Sequence, residues 1–96
     1  APSAFTYTTG QMHWQLLLQA RAMDSQCQVL GAAQQGWHGE KRQTWGHSGA
    51  TNSRGQLLAM VQDEGAQLIT VEFDLKEQQQ VRESMPLMQH RVLVNY

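Results

Sequence analysis

The chain has 96 residues and a mass of 10.9 kDa, with seven Lys and Arg against eight Asp and Glu for a formal net charge of −1. That length holds one small globular unit, residues 1–96 as a single segment, and 41% hydrophobic with 16% charged residues argues against disorder. Charges this evenly balanced lack the dense positive patch that a nucleic-acid partner requires. No apolar run reaches the roughly 18 residues that span a bilayer, because Gln19, Arg21 and Asp24 break the longest candidate.

The opening Ala1-Pro2-Ser3-Ala4-Phe5 lacks the basic-then-apolar layout of a secretory signal. The single cysteine, Cys27, has no intramolecular disulfide partner. Both features fit a reducing, cytoplasmic setting.

In chain order, Thr8-Thr9-Gly10-Gln11 sets a threonine three residues ahead of a glutamine. In that reciprocal arrangement each side chain satisfies a free N–H at a helix start. A helix over residues 10–25 follows. At about 100° per residue, Met12, Leu16, Ala20 and Met23 form one apolar stripe. Trp14, Leu17 and Leu18 form a second on nearly the opposite side. A helix with two apolar faces needs two things to pack on. Arg21 falls inside the Trp14 stripe, where an unpaired guanidinium is costly, so Asp24 one turn on is its expected partner.

Residues 26–34 have the small and branched side chains of a central strand covered on both faces, with Gly31 permitting close approach of a neighbour. Residues 35–46, holding Trp37, His38, Lys41, Arg42 and Trp45, read as a glycine-punctuated loop too long for a tight hairpin, with Trp37 and Trp45 expected to pack at the surface and substrate or partner contact as the alternative. Asn52-Ser53-Arg54-Gly55 carries the Asn-first, Gly-fourth signature of a type I turn, which joins residues 46–51 and 56–61 as a hairpin. Alternation over residues 67–73 predicts a further strand. Asp74-Leu75-Lys76-Glu77 offers a helix cap with an acid three residues later, and Pro86 closes that second helix. The apolar tail, residues 87–96, is expected to dock on something. The result is an α+β arrangement of about four mostly antiparallel strands and two helices.

Several sharper chemistries fail on spacing. Gly46-His47-Ser48-Gly49 misses the spacing of a nucleophile elbow, so His47 and Ser48 are expected to be hydrogen-bonded internally. The four histidines and Cys27 show no ligand spacing for zinc. Cys27 is expected to be a small buried hydrophobe.

Pro2-Ser3-Ala4-Phe5-Thr6, Thr8-Thr9-Gly10, His13-Trp14, Leu17-Leu18, Ala20-Arg21-Ala22, Gln26-Cys27, Gly46-His47-Ser48, Pro86 and His90-Arg91 stand in a distinctive order and spacing. Together they resemble the C-terminal third of the nitrilase superfamily of carbon-nitrogen hydrolases, in the Nit-type amidase branch that includes ω-amidase and deaminated-glutathione amidase. The resemblance implies part of an α-β-β-α sandwich that dimerises and that is roughly three times as long as this chain, within the range of one α/β domain. It also implies a Glu-Lys-Cys set in which the cysteine attacks an amide or nitrile carbon, the glutamate moves protons and the lysine stabilises the oxyanion. In the family all three lie upstream of the Pro-Ser-Ala-Phe segment. Neither Cys27 nor Lys41 nor Lys76 matches them.

What the resemblance assigns to this chain is a wall of the substrate pocket. Phe5 would supply ring contact and Thr9 a hydrogen bond to the carboxyl end of a small amide substrate. No cofactor or metal is implied. The chain departs from the family at Gln15, usually Glu, at Gln28, usually Tyr, and at Ser53-Arg54, usually Pro-Trp.

The expectation is therefore a C-terminal amidase segment, inactive alone, that pairs with a complementing N-terminal chain or with a second copy. The alternative is a non-catalytic, dimeric α+β interaction module.

Overall fold

The computed structural model describes residues 1–62 and 65–92. It is a mixed α/β arrangement, as expected. Its elements run β1 (Pro2–Ser3), α1 (Tyr7–Ser25), β2 (Leu30–Ala33), β3 (Gln35–His38), β4 (Arg42–Trp45), β5 (Gly49–Thr51), β6 (Leu57–Met60), α2 (Leu75–Ser84) and α3 (Leu87–His90). β1, α1 and β2 form a βαβ unit with parallel strands, Pro2 opposite Ala32 and Ser3 opposite Ala33. The sheet continues antiparallel through β5 to β6, giving the order β1-β2-β5-β6. None of the described helices is long and apolar enough to cross a membrane.

α1 begins at Tyr7, three residues before the expected start at Gly10. Thr6 is the residue at its N-cap, without a side-chain bond to the helix backbone. The Thr6 hydroxyl instead meets the Thr9 hydroxyl at 3.1 Å. The C-terminus falls at Ser25 as expected, closed by Gln26 in the left-handed region at φ 52°, whose N–H reaches back to the Ala22 and Met23 carbonyls. Such a cap satisfies carbonyls that the helix leaves open.

Only one of the two apolar stripes packs. Gly10, Trp14, Leu18 and Ala22, each four residues apart, are buried against the side of the molecule that carries β4 and β5. Met12, Leu16 and Met23 stay more than half exposed. A row of residues four apart drifts around the helix because a turn takes 3.6 residues. By the level of Ala22 the covered direction has rotated away from Arg21. Its guanidinium therefore sits in solvent with Asp24 at 3.6 Å, both side chains about seven-tenths exposed, and the expected pairing is present without the expected burial.

β2 is a central strand, but α1 covers only one of its faces. Gly31 is buried under Trp14 and Leu18, where an added Cβ would lie 2.8 Å from either side chain, whereas Leu30 is exposed. The strand is also shorter than residues 26–34. Residues 26–29 instead form the turn out of α1, with Val29 joined to Thr51 through the Thr51 N–H (2.9 Å) and hydroxyl (3.3 Å).

Residues 35–46 are not an irregular loop. β3 and β4 pair antiparallel from Gln35 opposite Trp45 to His38 opposite Arg42, leaving Gly39, Glu40 and Lys41 as a three-residue turn. Gly39 opens that turn with φ 80°, in the left-handed region glycine adopts without a Cβ penalty. The turn expected at residues 52–55 is present. Gly55 N–H bonds to the Asn52 carbonyl at 3.1 Å, and Asn52 Oδ1 accepts from the N–H of Arg54 and of Gln56.

Residues 67–73 do not form a strand. Ile69 and Val71 are half-buried while Leu68, Thr70 and Glu72 are exposed, but Phe73 is exposed too, so the alternation holds only over residues 68–72. It arises from one-sided packing over β2 and β5 rather than from a ladder, since alternating burial needs only a covered side. Between this segment and Leu30, Ala32 and Ala50 lies an open groove of about 380 Å³. α2 starts where expected, with Asp74 Oδ1 accepting from Glu77 N–H at 3.0 Å. Past Pro86, Met88 and Val92 are largely exposed, and the last four residues of the expected docking tail, 93–96, lie outside the described residues.

Candidate functional site

The two residues singled out for substrate contact flank the start of α1. Phe5 lies between β1 and the helix, half-buried, its ring edge-on to Trp14 at 5.3 Å. Its carbonyl accepts from Trp45 N–H at 2.9 Å. Thr9, in the first turn, is exposed. That turn carries no acidic side chain, and no side chain caps it. Free N–H groups and the positive end of the helix dipole at such a terminus favour an anionic group nearby.

An aromatic cluster that the sequence did not single out holds this end of the helix. Trp45 stacks on His47 with ring centroids 3.8 Å apart and planes 9° from parallel, and Tyr7 meets Trp45 edge-on at 5.0 Å. Gly10 lets the helix approach this closely, because a Cβ there would fall 2.2 Å from Trp45 Cβ. Trp14 Nε1 donates to the His47 carbonyl at 2.6 Å. His47 itself adopts φ 61°, with Nδ1 hydrogen-bonded to the Trp45 carbonyl at 2.7 Å. The signal available in the sequence was Trp45-Gly46-His47, two rings around a glycine at φ 71°, which turns the chain back on itself.

Ser48 bridges to β2. Its hydroxyl accepts from Ala33 N–H at 2.8 Å and donates to the Ala33 carbonyl at 3.3 Å. His47 and Ser48 are thus internally bonded as expected. The two tryptophans of the hairpin diverge in role, with Trp45 packed in the cluster and Trp37 63% exposed. Among the described residues no group of three His, Cys, Asp or Glu side chains could hold a metal ion.

Cys27 differs from its expected place. It follows α1 in a bend rather than lying inside a strand, and it is only half-buried. Arg82 Nη2 approaches its sulfur at 3.0 Å, and the thiol faces the Ser25 carbonyl at 3.3 Å. The cause is the shorter β2, which leaves residue 27 in the junction where α2 docks.

The carbon-nitrogen hydrolase family model matches residues 2–83. The chain is 48% identical over 94% of its length to the nitrilase and fragile histidine triad fusion protein NitFhit of Drosophila melanogaster, of which it covers 20%. It is 39% identical over 98% of its length to the deaminated glutathione amidase of Yersinia enterocolitica, covering 32% of that protein. Saccharomyces cerevisiae Nit3, a member of branch 10 of the nitrilase superfamily, superposes with a TM-score of 0.80 at 32% identity, over 93% of this chain and 33% of Nit3. The chain thus spans about a fifth to a third of the proteins it matches. By the extent of that match and the shared fold, it belongs to the carbon-nitrogen hydrolase family.

Proposed function

We propose that this chain is the C-terminal portion of a Nit-type amidase acting on small carboxylate-bearing amides, inactive alone because the Glu-Lys-Cys set belongs to an upstream portion. The observation that carries this reading is the match, over 98% of this chain and 32% of that protein, to a deaminated glutathione amidase. The open helix start beside Phe5 and Thr9 supports it, since a substrate carboxylate suits an uncapped helix N-terminus. In this reading Phe5 and Thr9 fix the carboxyl end of the substrate, while the upstream cysteine attacks its amide carbon and ammonia leaves. The apolar groove between β2, β5 and residues 67–71 receives the upstream portion. The exposed stripe of Met12, Leu16 and Met23 meets a second copy in a homodimer. No cofactor or metal takes part, and the setting is cytoplasmic.

The test is ammonia release from deaminated glutathione by the chain alone and by the chain co-expressed with the upstream two-thirds of the Yersinia enterocolitica enzyme. The expected result is activity only in the complex, and turnover by the chain alone would overturn the reading. In the active complex, Phe5→Ala is expected to lower kcat/KM about tenfold, roughly 1.4 kcal/mol, as befits one lost ring contact.

The same exposed stripe would equally serve a second reading, a non-catalytic dimeric module. A complex-free homodimer in native mass spectrometry, combined with a co-expressed upstream portion that never associates, would select it.

A further inference from the structure

We draw no further inference here: the strongest candidate, the acidic cleft between the β5–β6 turn and the start of α2 lined by Gln28, Ser53, Glu72, Asp74 and Glu77, carries nothing because Asp74 already caps α2, Glu77 already pairs with Arg54 and the unpartnered Ser53 hydroxyl is closed to solvent, leaving an acidic cluster that nothing in the structure ties to a ligand.

Discussion

Residues 1–61 and residues 65–92 are held in the fold by different forces. Among the described residues every buried hydrophobic side chain, Trp14, Leu18, Ala22, Ala50 and Val61, belongs to the first region. No described residue of the second is buried. Apart from the half-buried Ile69 and Val71 over β2 and β5, that second region is fastened by polar contacts to the short junction after α1. Gln26 Nε2 donates to the Met85 carbonyl at 2.8 Å, and Arg82 Nε donates to the Gln26 carbonyl at 3.2 Å. Gln28 makes three such bonds, its N–H to Gln78 Oε1, its Nε2 to the Glu72 carbonyl and its Oε1 to Asp74 N–H. Hydrophobic burial stabilises in proportion to area, whereas each net hydrogen bond contributes about 1 kcal/mol. The first region should therefore set global stability, and the second should open locally before it.

The most forceful way to break this contrast is Trp14→Ala. It removes a 5% exposed ring, its edge contact with Phe5 and its bond to the His47 carbonyl. A loss of about 3–5 kcal/mol is expected in urea denaturation, a large part of the ~5–15 kcal/mol available to a domain. A loss below about 1 kcal/mol would show that the core lies elsewhere.

Gly10→Ala sharpens the same point through sign. Helix propensity alone promises a gain of about 1 kcal/mol, but the new Cβ meets Trp45 Cβ, which cannot swing aside. Overpacking should win, with a net cost of about 1–3 kcal/mol. A thermal midpoint that rises would contradict the close packing of α1 on the aromatic cluster.

Gln28→Ala addresses the polar fastening. Amide exchange over residues 72–78 should accelerate about tenfold while global unfolding shifts by about 1 kcal/mol or less. Equal acceleration in β2 and β5 would mean the two regions open as one.

The smallest expected effect is favourable. Ser53 occupies the second position of the β5–β6 turn with a buried hydroxyl that has no partner among the described residues. Proline suits that position of a type I turn. Ser53→Pro should raise stability by about 0.5–1 kcal/mol through a less flexible unfolded chain. A destabilised variant would show that the Ser53 N–H or backbone angle is needed as it stands.

Legibility in the sequence followed the range of the interaction. The turn at residues 52–55 and the cap at Asp74 were readable because one side chain bonds backbone two to four residues away. The hairpin of β3 and β4 was missed, since its polar faces give no alternation and its only marks are Gly36 and Gly39. The strand expected over residues 67–73 was read from alternation, which reports a covered side and not a hydrogen-bonded neighbour. At the candidate site Phe5 and Thr9 rest on the family resemblance alone. The Trp45-Gly46-His47 turn is visible in the sequence, but not that its two rings, some forty residues on, brace the same helix end.

The sequence by itself determined the α/β class, the family, the end of α1, the β5–β6 turn and the start of α2, each written in local chemistry or in an ordered set of family positions. Only the tertiary structure decided which stripe of α1 is buried, why Arg21 stays in water, and where Cys27 sits. Those outcomes depend on the drift of the i+4 row around the helix and on how far β2 extends. Both are set by what lies across from a residue rather than beside it.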